Sequence, residues 1–153
     1  MTSLCSETIH RLLGKTLVTA ESLTGGGIGA ALTAISGSSA VYKGGVIAYS
    51  NWVKETVLRV PREILEIHGA VSSQTAMCMA SGVRKLLQAD IAVSVTGLAG
   101  PGGDEFGNPV GTVYIGYEDS CHAVVHHHVF SGTREEVRSQ TIEAALHLIL
   151  AYN

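Results

Sequence analysis

Leu17-Val18-Thr19-Ala20-Glu21-Ser22-Leu23-Thr24-Gly25-Gly26-Gly27 is the segment from which the architecture can be built outward. Its first four residues are a short β-compatible run. They stop abruptly at Glu21-Ser22 and three glycines, and an Ala-rich stretch from Gly27 to Ile35 then reads as a helix. A strand that runs through a glycine turn into a helix is a β–loop–α unit. Glycines at the turn let backbone N–H groups approach a ligand, and the helix start adds a partial positive charge, so a phosphate or a developing oxyanion suits the position.

Upstream, Ser3 to Leu13 places Leu4, Ile9, Leu12 and Leu13 near helical spacing and predicts an amphipathic helix. Downstream, Gly45 to Tyr49 reads as a second apolar strand, with Ser50 or Asn51 capping a helix that runs through Lys54 to Leu58. Pro61 opens a further helix that Gly69 ends, and Ser72 or Ser73 caps a long one through Met77, Met79, Val83 and Leu87. Ile91 to Val95 is a buried strand by its continuous apolar character. Gly97 to Pro109 holds five glycines and two prolines among thirteen residues, so it is a loop, and loops of that length in small domains are commonly functional. Val110 to Tyr117 and His122 to Phe130 read as a hairpin, and Thr133 starts a last helix with Glu136 in capping-box position. Helices between the first three strands and a hairpin afterwards predict an α/β fold: one domain, residues 1–153, with a mixed sheet covered by helices on both faces.

Composition narrows the function classes. The chain has 153 residues, 46% of them hydrophobic and only 15% charged, which excludes disorder. A formal net charge of −3 argues against a nucleic-acid-binding surface while leaving small anions possible. Cys5, Cys78 and Cys121 are odd in number and in no metal-ligand spacing, so a reducing cytoplasm fits. No apolar run reaches membrane-spanning length, and no secretory signal opens the chain. Low surface charge and an edge strand near Val124 to Phe130 lead us to expect a homo-oligomer.

In open α/β sheets ligands bind beyond the carboxyl ends of the strands, so Ser22, Tyr49 and Thr96 are expected to converge on one pocket. Each has a plainer alternative. Ser22 or Thr24 serves equally as a helix cap beside Gly25 and Gly26, and Ser38 or Ser39 as a cap at Gly37. If Ser50 caps a helix, Lys54 returns one turn along beside the strand end. Held there out of water, its amine has a lowered pKa and takes a proton from serine; otherwise it is a surface lysine. Thr96-Gly97 opens the glycine loop with free backbone donors suited to an anion or carbonyl oxygen. Arg134 or Arg138, at the start of the last helix, either binds phosphate or pairs with Glu135 in solvent. His126 and His128 share a strand face, but no third ligand lies nearby in sequence, and a solvated strand is the favoured reading.

Taken together, the order of these pieces carries more than any one of them. Ala20-Glu21-Ser22-Leu23-Thr24-Gly25-Gly26, Gly37-Ser38-Ser39, Tyr49-Ser50-Asn51 with Lys54, His68-Gly69-Ala70-Val71-Ser72, Thr96 to Gly103 and Pro109 to Tyr114 resemble the CinA C-terminal domain across nearly the whole chain. That resemblance implies a nicotinamide-nucleotide amidase without metal or cofactor. Its substrate is nicotinamide mononucleotide, Ser22, Tyr49 and Lys54 stand at the catalytic positions, and Ser39, Thr96 and an arginine of the last helix are further site residues. Gly25-Gly26 and Gly97 are the expected sources of oxyanion and phosphate contacts, and Ser39 is the alternative nucleophile. Leu23 stands where the family motif has cysteine, and without a larger N-terminal domain the chain resembles the stand-alone amidase form. The competing expectation is a non-catalytic nucleotide-binding or protein-interaction module linked to competence or DNA damage.

Overall fold

A computed structural model describes residues 1–153. Five strands form one sheet in the order β2-β1-β3-β4-β5: β1 (Leu17–Glu21), β2 (Tyr42–Ile47), β3 (Ile91–Gly97), β4 (Thr112–Glu118) and β5 (Ala123–Val129). The first three are parallel, and β4 and β5 join as the expected antiparallel hairpin. Six helices complete the chain: α1 (Thr2–Arg11), α2 (Gly27–Thr33), α3 (Asn51–Thr56), α4 (Arg62–His68), α5 (Ser73–Leu87) and α6 (Arg134–Ala151).

Strand β1 sits between its two parallel partners, so the crossover from β1 to β2 and the one from β2 to β3 run in opposite directions across the sheet. Right-handed connections then place α2 on one face of the sheet and α3 to α5 on the other. The two cores follow this division. Leu17, Ile91, Val93, Val95 and Ile115 pack with Ile9, Leu32 and Ile149 from α1, α2 and α6. Val18, Ala20 and Ala92 pack with Leu58, Leu65, Met79 and Val83 on the α3–α5 side. Alternation along β1 therefore sends Thr19 and Glu21 toward α2, and Ser22, the next residue, toward α3.

Several boundaries differ from the sequence expectation. Strand β2 starts at Tyr42 rather than Gly45 and stops at Ile47. It is an edge strand whose residues alternate between half-buried and exposed, so the glycine pair does not interrupt it. The register slips between Leu17–Tyr42 and Val18–Gly44, leaving Lys43 as an extra residue. Gly45 then lies against Thr19, where a Cβ would collide with the threonine hydroxyl and carbonyl. At the hairpin, β4 begins at Thr112, because Gly111 adopts a φ of 93° and packs on the Phe130 carbonyl. Helix α3 ends at Thr56, two residues short of Leu58, and the turn that follows is closed by Leu58 N–H to Val53 O and Val60 N–H to Lys54 O. The caps agree with expectation: Ser50 accepts from Val53 N–H, Ser72 from Thr75 N–H, and Thr133 and Glu136 form a reciprocal capping box. No helix is long and apolar enough to cross a membrane.

Candidate active site

The carboxyl ends of β1, β2 and β3 open into one cleft of about 550 Å³, lined among others by Ser22, Tyr49, Lys54, Thr96, Gly97 and Arg134. Two backbone bonds fix its floor: Ser22 N–H donates to Val95 O at 3.0 Å, and Ala48 N–H donates to Glu21 O at 2.8 Å. The serine is thus held between both neighbouring strands.

Lys54 is the decisive side chain. Capping by Ser50 starts α3 in the register that turns Lys54 inward, and the residue is 1% exposed. Its Nζ donates to Ser22 Oγ at 3.0 Å, Ala48 O at 2.8 Å and Tyr49 O at 3.3 Å. No carboxylate pairs with it. Burial alone lowers its pKa from the ordinary lysine value to about 8. When the amine loses a proton, its two remaining N–H bonds have the two carbonyls as acceptors, and the lone pair takes the third direction, toward the serine hydroxyl.

Around this pair the expected site residues separate. The Tyr49 phenol, in a side chain 64% exposed, does not touch Lys54; its oxygen accepts from Arg134 at 3.3 Å, and only the Tyr49 main chain meets the amine. Serine and lysine are in direct contact, with no phenol between them. Arg134 also donates to Gly100 O at 2.7 Å, which ties α6 to the glycine loop at the mouth of the cleft. Thr96 lines the cleft but donates its hydroxyl to Ala70 O at 2.8 Å, bracing the β3 end against the α4–α5 turn.

Five other expected site residues lie outside the cleft. Thr24 is fully buried and donates to Glu21 Oε1 at 2.6 Å. Gly25 and Gly26, at φ 58° and 97°, form the turn itself, and Gly25 N–H is already bonded to Ser22 O. Arg138 clamps that turn, donating Nε–H to Leu23 O at 2.9 Å and Nη2–H to Thr24 O at 3.2 Å, and it does not line the cleft. Ser39 is exposed in a single 3-10 turn, Ser38–Ala40, ahead of β2, at the far end of the sheet from Ser22. On the hairpin, His127 stacks on Tyr114 with ring centroids 4.5 Å apart, and His128 stacks on Phe130 at 4.9 Å.

Glu21 was missed by the sequence reading. Only 2% exposed, its carboxylate accepts from Thr24 Oγ1 and Ile28 N–H on one oxygen, and from Thr19 Oγ1 and Gly29 N–H on the other. An acid directly before the glycine turn, with a threonine three residues on, is the signal the sequence carries for it. Phe106 was missed as well. The glycine loop is held by Asp104, which accepts from the Phe106 and Asn108 N–H groups, and Phe106 lies on Gly69, whose φ of 80° and missing Cβ admit the ring.

A family model described as the CinA C-terminal domain matches residues 2–152. The chain belongs to the CinA C-terminal domain family. It is 50% identical over 135 residues to a CinA-like protein of Parasynechococcus marenigrum, covering 87% of this chain and 32% of that protein. A CinA-like protein of Synechococcus sp. is 45% identical over 151 residues, covering 96% and 36%. The chain thus spans about a third of the length of these curated relatives. Among solved structures, the competence damage-inducible protein A of Klebsiella pneumoniae superposes with a TM-score of 0.95 at 38% identity, covering 97% of this chain and 93% of that one. The competence/damage inducible protein CihA of Agrobacterium tumefaciens gives 0.91 at 41% identity, covering 98% and 93%.

Proposed function

We propose that this CinA-family chain is an amidohydrolase that converts nicotinamide mononucleotide to nicotinate mononucleotide and ammonia through a Ser22–Lys54 pair. The observation that carries the reading is the buried lysine amine, 3.0 Å from a serine hydroxyl at the floor of an open cleft, with no acid to hold its proton. Such an amine is a general base near neutral pH and makes serine nucleophilic without histidine. The site's other parts fit an anionic amide. The N–H of Leu23, directly after the serine and lining the cleft, makes no hydrogen bond within the protein and is free to face an oxyanion. Arg134 stands at the rim for a phosphate, and Leu65, Leu98 and Phe106 give the cleft an apolar wall for a ring.

In the chemical sequence, Lys54 takes the Ser22 proton as Oγ bonds to the carboxamide carbon. The resulting ammonium gives that proton to the departing nitrogen as the C–N bond breaks, and ammonia leaves. Water then adds to the acyl-serine, with Lys54 again as base, and the C–Oγ bond breaks to release the carboxylate and restore the serine. In this scheme Tyr49 contributes its carbonyl to orient the amine and its phenol to hold Arg134.

Incubating the purified chain with nicotinamide mononucleotide is expected to release ammonia and nicotinate mononucleotide in equal amounts. A rise in Tm with that ligand and no ammonia overturns the amidase reading in favour of a binding module. The pH dependence follows from the lysine. Because only the neutral amine is a base, kcat/KM rises tenfold per pH unit below a midpoint of about 8 and levels off above it. A profile that falls across pH 7 to 9 excludes Lys54 as the base.

A further inference from the structure

A second groove, larger than the catalytic cleft at about 710 Å³, runs between the Val57–Pro61 turn and the outer side of α5 and ends against the start of β5. Its floor is apolar: Leu58, Met77, Cys78 and Leu86 line it. Two cations, Arg59 and Lys85, stand over that floor, and neither makes a hydrogen bond or an ion pair within the protein. The acid in the lining, Glu118, is engaged by Arg84 at 3.4 Å. A chain of net charge −3 therefore concentrates two uncompensated positive charges over one apolar surface.

The groove is built into the fold. Arg59 adopts a φ of 60°, rare for a residue with a side chain, between Leu58 and Val60, which are each 1% exposed and lock the turn. Gly82 of α5 lets that turn approach so closely that a Cβ there would collide with the Leu58 carbonyl. The same close contact sets the width of the groove and keeps Arg59 at its margin.

We propose that this groove is a binding site for an amphipathic organic anion, with a carboxylate or phosphate head between Arg59 and Lys85 and an apolar body on Leu58, Met77 and Leu86. Its volume falls in the usual range for small-ligand sites. The paired cations choose an anion over a neutral ligand of equal shape, and the proposal stands apart from the amidase reading, since none of these residues lines the catalytic cleft.

Cys78 supplies a reporter within the groove. Cys5 is buried in the opposite core, so in a Cys121→Ser background Cys78 is the accessible thiol. Alkylation by N-ethylmaleimide is expected to be slowed at least about fivefold by saturating octyl phosphate or octanoate, and the ratio of their affinities identifies the preferred head. Arg59→Ala and Lys85→Ala, both at exposed positions, are each expected to weaken that protection about three- to fivefold in Kd, the scale of an exposed ion pair. Equal protection by octanol, equal protection by inorganic phosphate, or affinities unchanged in both variants overturns the proposal. So does a Cys78 already protected without ligand in a sample that sediments as a dimer, because a second copy then occupies the groove.

Discussion

Replacing Ser22 by alanine or Lys54 by methionine is expected to lower kcat for amide hydrolysis by at least about a thousandfold each, and the double variant is expected to be no slower than the worse single one. Both residues act in one step. Without the hydroxyl the lysine has nothing to deprotonate, and without the amine the serine keeps its proton at neutral pH, so either loss removes the whole nucleophilic path. What survives is the effect of binding and of the Leu23 N–H on the attack of water. Methionine keeps the length and apolar stem of Lys54 in a site that is 1% exposed, so the variant tests the amine rather than the packing. Ammonia release under saturating substrate, alongside circular dichroism and Tm, separates the cases. Retention of more than a tenth of the wild-type rate by Ser22→Ala, or additive losses in the double variant, removes the serine–lysine pair as the mechanism. Ser39→Ala is the control: that residue is exposed beyond the opposite end of β2, and its loss is expected to leave kcat within about twofold, as for surface changes away from a site.

The same pair marks what the amino-acid order made legible. Lys54 was placed correctly because its position depends on local rules: Ser50 caps the helix, and the fourth residue on returns to the same side. The α/β class, the hairpin and the Thr133–Glu136 capping box were legible for the same reason. Tyr49, Thr24 and Arg138 were not, although each sits in or beside a site motif. Chain order brings them to the cleft's neighbourhood, but the direction of each side chain depends on a partner remote in sequence. Arg134 claims the Tyr49 phenol from 85 residues away, and Arg138 reaches Leu23 O from 115. Ser39 shows the converse. Its hydroxyl-rich context resembles a site motif, yet strand direction puts everything just before β2 at the far end of the sheet. Gly44-Gly45 read as a strand boundary because a bulge and a close approach to Thr19 are properties of the pair of strands, not of either one.

Glu21→Gln is expected to lower the unfolding free energy by about 3 kcal/mol, the lower end of the cost of breaking a buried charged network. All four contacts to the carboxylate are donors: two hydroxyls and the N–H groups of Ile28 and Gly29. An amide has the same shape but replaces one accepting oxygen with an NH2 group. Whichever way it is turned, donors face donors on one side, and at least one backbone N–H of the first turn of α2 loses its acceptor in a site 2% exposed. For a chain of this length about 3 kcal/mol corresponds to a fall in Tm of roughly 6–12 °C, readable in thermal or urea unfolding. The consequence reaches the chemistry, because the carboxylate fixes the turn that follows Ser22 and so aims the Leu23 N–H. A loosened turn is expected to lower kcat about tenfold or more while leaving the pH midpoint near 8, since Lys54 keeps its own acceptors on Ala48 and Tyr49. A stability change under about 1 kcal/mol means that the turn holds its shape without the acid, and that the four donors find other acceptors when it is removed.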